Sequence, residues 1–187
     1  IPENEEKYYT ENVLRMPNSF LPIDDTLLRS SKIFNKSSLG ICENSFVFCN
    51  FAKSHKIQKK EFTIWMNILL QNSNSVLLLL ESNHVAKSNL LFEAKVNGVD
   101  PARIIFCSPI SLRDHMSRQS CADLALDTFN FSGGTMTALV LATGLPLLTL
   151  PGKTFSSRLA SSALSSLGLT ELIAYDLKDY ERKAFLS

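Results

Sequence analysis

The 187-residue chain carries 19 Lys and Arg against 18 Asp and Glu, a formal charge of +1, with 45% hydrophobic and 20% charged residues. That mixture excludes a disordered tail, and so even a balance of sign argues against a nucleic-acid binder. The most apolar stretch, Ala138 to Leu150, is broken by Thr143, Gly144 and Pro146, whereas a bilayer span needs roughly 20 apolar residues.

The first 44 residues read as a connecting segment with one short strand or helix, because Pro2, Pro17 and Pro22 interrupt it and Arg29 to Ser38 is polar. The chain begins at Ile1 without Met or a signal-like apolar region, and is expected to be a piece of something longer. A domain is expected over residues 45–187. Its first strand candidate is Phe46-Val-Phe-Cys-Asn-Phe51, followed by a helix in which Ile64, Trp65, Ile68 and Leu69 repeat at helical spacing. Trp65 is expected to face the core or pack at an edge, and not to serve as a sugar-stacking platform. Ser75 to Leu80 reads as the second strand, then Ala86 to Asn97 as a helix closed by Gly98. Strands at Ile104–Cys107, Leu124–Asp127 and Leu147–Leu150 follow, with helices at Met136–Thr143 and Ser156–Leu167. The strand runs are continuously apolar, as in strands buried on both faces. Alternating strands and helices give a doubly wound, Rossmann-like parallel sheet of order 3-2-1-4-5, with ligands expected beyond the carboxyl ends of its strands.

Cys49 and Cys107 lie inside apolar runs and Cys42 and Cys121 form no CxxC pair, so the reading is reduced, buried thiols in a cytoplasmic setting, without a zinc site. Four polar groups of residues stand at strand ends. Lys53 and Lys56 follow the first strand, where they can meet an anion as mobile point charges or form a plain solvated loop. Gly133, Gly134 and Thr135 open a helix whose free N–H groups suit phosphate, although the same residues are ordinary helix starters. His115 and Arg118, three apart, can share a helix face toward a planar ligand. Asp127 ends a buried strand, where it either ties down the next loop or contacts ligand.

Read in order, these strings carry a resemblance. Phe46 to Phe51 with Lys56-Ile57, Ala102-Arg-Ile-Ile-Phe106, Ala122 to Thr128, Gly133-Gly-Thr135, Gly144-Leu-Pro146, Pro151-Gly-Lys-Thr154, Ser157-Arg158 and Gly168 to Ala174 succeed one another at family spacing. The chain resembles, over nearly its whole length, the catalytic region of the O-linked N-acetylglucosamine transferases, the tetratricopeptide-repeat glycosyltransferases, in a bacterial form. Tyr8 to Phe20 resembles the segment that joins the two catalytic lobes.

That resemblance implies a GT-B fold, of which this chain is the C-terminal, sugar-nucleotide-binding lobe. It implies transfer of N-acetylglucosamine from UDP-N-acetylglucosamine to protein Ser or Thr, with no metal or other cofactor and no nucleic-acid or membrane partner. Lys56 matches the lysine that holds the diphosphate and stabilises the departing UDP, and Lys53 matches a donor-facing polar position. His115 matches a histidine beside the uracil, Arg118 its basic neighbour, and the backbone at Ile110 the loop that reads the base. Gly133, Gly134 and Thr135 match the diphosphate loop. The sequence departs from the family at Leu139, where an acid usually meets the ribose, and at Met136 and Leu112. These departures keep open a second reading, a degenerate, non-catalytic binding module. The fragment alone is expected to be inactive, since the family's other lobe supplies a catalytic histidine.

Overall fold

Five short apolar runs become five parallel strands: β1 (Phe46–Asn50), β2 (Ser75–Leu80), β3 (Ile104–Cys107), β4 (Leu124–Leu126) and β5 (Leu147–Leu148). The computed structural model describes residues 1–19, 26 and 31–186. The strand order is β3-β2-β1-β4-β5, as the alternation of elements predicts, with Phe48 in register with both Leu77 and Leu124.

The period of two along each strand divides the core between the faces of the sheet. Phe48, Leu77, Leu79, Leu124 and Leu126 belong to one apolar cluster, with side chains of α1 (Lys59–Gln71), α2 (His84–Val96) and α6 (Leu177–Leu186). Val47, Cys49, Leu78, Ala125 and Leu147 belong to the other, with Val140 of α4 (Thr135–Ala142) and Ala160 and Leu164 of α5 (Leu159–Ser166). Trp65 is fully buried in the first cluster, as its spacing predicts.

Element ends follow local chemistry. α2 starts at His84, two residues before the expected position, because the Asn83 side chain accepts the Ala86 N–H at 2.8 Å. It stops at Gly98, whose φ of +82° is the left-handed conformation a helix-ending turn requires. The strands at Leu124 and Leu147 are shorter than expected, and beyond β5 the Thr149 backbone pairs with Ile173 in an isolated parallel bridge. Helix α6 has no counterpart in the sequence reading. Leu177, Tyr180 and Ala184 share its inner face, and the Tyr180 ring meets Phe129 edge-on at 5.1 Å.

The expected connecting segment holds two short 3-10 turns, Glu3–Tyr8 and Ser37–Leu39. Pro22 and Arg29 within it lie outside the described residues. Lys36 fastens the segment to the sheet: its Nζ donates to Asp123 Oδ2 and to the Ser45 carbonyl, both at 2.9 Å, while Asp123 Oδ2 also accepts the Val47 N–H. Among the described residues, no helix is long and apolar enough to cross a membrane.

Arg103 closes the turn between α1 and β2. Its Nε donates to the Ser75 carbonyl at 2.8 Å, and its Nη2 to the carbonyls of Leu69 and Asn72 at 2.7 and 2.6 Å. A guanidinium makes this fork and an ammonium does not. Arg103→Ala is therefore expected to lower stability by about 3 kcal/mol, with Arg103→Lys restoring only part. Urea denaturation checks this; an unchanged midpoint for Arg103→Ala would remove the clamp from the account.

Candidate active site at the carboxyl edge of the sheet

β1 and β4 are neighbours, so the loops that leave their carboxyl ends share one edge of the sheet. After β1 the chain turns back in a 3-10 turn over Ser54–Lys56, closed by the Lys56 N–H on the Lys53 carbonyl at 2.9 Å. Lys53 is exposed at its start and Lys56 half-buried at its end. After β4 the chain runs through Asp127 to Phe131 and opens helix α4 at Thr135, with Gly134 as its cap and no side chain closing the first turn. The first-turn N–H groups of such a helix are left for solvent or an anion.

Asp127 builds this loop. It is buried, and its Oδ1 accepts the Gly133 N–H at 2.9 Å while Oδ2 accepts the hydroxyls of Ser132 and Thr149 at 2.6 and 2.7 Å. The Ser132 hydroxyl in turn accepts the Ala160 N–H at the start of α5. Burial pushes the Asp127 carboxyl above the usual range, and the bonds from Ser132, Gly133 and Thr149 pull against it. Of its two sequence-based roles, the structure gives Asp127 the one of tying down the loop. A second buried carboxylate, Glu61 of α1, accepts the Phe129 N–H at 3.0 Å. Gly133 has no room for a larger residue, because a Cβ there would sit 2.7 Å from Thr137 Oγ1.

The structure brings Lys56 to this loop. Its Nζ lies 3.8 Å from the centre of the Phe131 ring, two residues before Gly133. Burial lowers the Lys56 pKa, and the charge of Asp127 opposes that shift. A cleft of about 30 Å³ reaches down between the two strand ends, lined by Asn50, Ala52, Asp127, Gly133 and Thr137 among others. A wider apolar groove of about 700 Å³ opens beside Leu141, Pro146 and Leu172, at the amino end of β5 and away from these residues.

His115 and Arg118 join from α3 (Leu112–Arg118). β3 is the edge strand, two places from β1, yet the helix that follows it reaches back to the end of β1. The His115 ring meets Phe51 edge-on at 4.7 Å. Arg118 is 3% exposed, donating to the Ser108 carbonyl at 2.7 Å and to His115 Nδ1 at 2.9 Å. An arginine has only donors, so Nδ1 must be the accepting nitrogen and Nε2 carries the imidazole proton. Arg118 thus supports the Ser108 loop and the histidine, rather than offering an open face for stacking on a base. Ile110 is partly exposed in the same loop.

Phe131, Glu61 and Thr149 did not stand out in the sequence. The signal available was the pattern Leu126-Asp-Thr128, a polar pair ending a buried strand. It marks Asp127 but does not name its partners.

The fold is that of a GT-B glycosyltransferase lobe. It matches the solved Thermobaculum terrenum O-GlcNAc transferase, a lysine-to-methionine mutant, with a TM-score of 0.83 and 26% identity over 98% of this chain and 34% of that one. The model of glycosyl transferase family 41 matches residues 22–186, and the chain belongs to that family. It is 33% identical over 146 residues to the UDP-N-acetylglucosamine–peptide N-acetylglucosaminyltransferase of Caenorhabditis elegans, covering 78% of this chain and 13% of that protein. It is 32% identical to the probable enzyme of the same name, SEC, from Arabidopsis thaliana, covering 94% of this chain and 19% of that protein. The chain thus spans about a fifth or less of these curated relatives.

Two outcomes follow from the buried groups. Burial, reinforced by the Arg118 charge, lowers the His115 pKa from 6.5 to about 4. A depressed folded-state value means that the neutral ring favours the native state. The contribution is complete above pH 6.5 and is lost as pH falls toward 4, a change of roughly 3 kcal/mol across the window. Urea midpoints at pH 7 and 5 are expected to differ less for His115→Gln than for the parent; equal differences would refute the assignment. Asp127→Ala leaves three donors unpaired, and is expected to speed amide exchange at Gly133 and lower stability by about 3 kcal/mol. Exchange measured by NMR at Gly133, unchanged by the substitution, would dissociate the carboxylate from the loop.

Proposed function

We propose that this chain is the donor-binding lobe of a protein O-glycosyltransferase that transfers N-acetylglucosamine from UDP-N-acetylglucosamine to Ser or Thr hydroxyls. The observation that carries the reading is the contact of the Lys56 ammonium with Phe131, in the loop that leads to the uncapped start of α4. The names of the family 41 relatives agree with it.

Transfer breaks the bond between the sugar and the diphosphate, and negative charge grows on the departing oxygen. Lys56 and the N–H groups of Thr135 and its neighbours would meet that charge with donors already in place, which is where electrostatic stabilisation counts most. This assigns the charge balance to the protein and needs no metal. The Gly133–Gly134 backbone lets the diphosphate approach closely. His115, neutral and protonated at Nε2, can donate to a carbonyl of the base. Ile110 stands in the loop that would present backbone groups to the same ring, and exposed Lys53 lies beside the donor's path. The acceptor would be a protein, as the names of the relatives give a peptide acceptor for them. Reduced, buried Cys49 and Cys107 fit a cytoplasmic setting.

A second reading rests on one observation. Leu139 is 4% exposed in α4, and an apolar side chain there offers the ribose no acceptor. A lobe that has lost nucleotide binding would serve as an interaction module.

Calorimetric titration with UDP separates the two. The parent is expected to bind, and Lys56→Ala to bind about 10- to 100-fold more weakly, the loss of one charge-assisted hydrogen bond of about 1.5–3 kcal/mol. Equal affinity in parent and variant would refute the role of Lys56. A parent that binds no nucleotide would favour the interaction module.

A further inference from the structure

The chain is almost neutral, but its positive charge is unevenly spread. Lys53, His55, Lys56, Lys59 and Lys60 fall within residues 53–60. Lys53, His55, Lys59 and Lys60 are all exposed, and among the described residues none of the four lysines forms a salt bridge. Lys59 and Lys60 are the first two residues of α1, a helix of 13 residues. That end of a helix carries positive potential and favours acids, so two lysines there act against stability. Among the described residues no acid forms an ion pair with either of them. Gln58 caps α1 without a side-chain bond to it, its Oε1 being taken by Asn130 Nδ2 at 2.6 Å. The acid of the first turn, Glu61, is buried and bonded to the Phe129 N–H.

We propose that Lys53, Lys59 and Lys60 form a basic rim around Lys56, where it rests on Phe131, that binds an acidic segment of a protein partner, the stretch of Asp and Glu flanking an acceptor hydroxyl. The inference goes beyond the donor reading and rests on it only for what Lys56 holds. Three features favour a peptide over a longer polyanion. The rim is confined to one turn and one helix start, a length that a few residues of extended chain would cover at about 3.3 Å each. Without these four lysines the chain carries 15 Lys and Arg against 18 Asp and Glu, a net acidic remainder that does not favour a nucleic acid. The rim also adjoins Lys56 in the chain, and an acceptor must come to Lys56 to meet the donor. Complementary charge of this kind raises association rates and selects among partners.

The test is fluorescence anisotropy of the protein with a labelled peptide in which one Ser is flanked on both sides by Asp and Glu. Comparison probes are the same peptide with Asn and Gln in place of the acids, an oligouridine strand, and vesicles containing phosphatidylserine. The variant is Lys59→Glu/Lys60→Glu, which places acids where the helix prefers them and is expected to melt higher than the parent. The expected result is that the parent prefers the acidic peptide, that salt weakens this binding, and that the variant binds it about tenfold more weakly. UDP titration of the same samples is expected to be unaltered. A variant that binds the acidic peptide as well as the parent would overturn the proposal, as would equal binding of the neutral peptide. Tighter binding of oligouridine or vesicles than of peptide would also overturn it, in favour of a general polyanion surface. Failure of UDP binding in the parent counts against the donor reading alone, because peptide binding is read separately.

Discussion

A single buried carboxylate organises the edge of the sheet on which the candidate site stands. Asp127 ends β4 and, with no solvent to receive it, must find its donors within the protein. It takes them from Ser132 and Gly133 in its own loop and from Thr149 beyond β5. Ser132 passes the constraint on to α5 through the Ala160 N–H. The loop before α4, the end of β5 and the start of α5 are therefore fixed relative to one another by one charge. Burial raises the pKa of that carboxyl and its hydrogen bonds lower it, so the loop's geometry and its electrostatics are the same problem.

The consequence for chemistry lies one layer out. With Gly133 held by its N–H and Glu61 holding Phe129, the loop carries Phe131 outward to where the Lys56 ammonium rests on its ring. Among the described residues no carboxylate is ion-paired to Lys56, which rests on the loop that leads to the helix start. The base side is built differently. Arg118 is consumed inside the protein, and its fixed donors settle the tautomer of His115 rather than contacting solvent. A buried arginine thus acts through a histidine, whose ring packs edge-on against Phe51 at the end of β1.

The positive rim on α1 illustrates how such a surface departs from what folding favours. Lysines at a helix start oppose the helix field, and among the described residues Lys59 and Lys60 form no ion pair. The same α1 supplies Trp65 and Glu61 to the interior. One helix therefore joins the largest fully buried side chain to an exposed start that carries two lysines.

The sequence by itself determined the sheet: five apolar runs, too continuous for half-exposed strands, separated by helical patterns that dictate parallel order. It also determined that Lys56 and Gly133 to Thr135 would share an edge, because strands one and four are neighbours in that order. Helix α6 escaped it, since Leu177, Tyr180 and Ala184 form a sparse stripe among charges, and only the packing of Tyr180 against Phe129 reveals its face. The partners of Asp127 were equally hidden: Thr149 is 22 residues away in sequence. So was the fate of Arg118, whose spacing from His115 showed a shared helix face but not that the face turns inward. Periodicity reports which side of an element is apolar; it does not report which distant polar atoms must be paired once water is excluded. Only the tertiary structure decided those pairings, because each depends on chain segments that folding alone brings together.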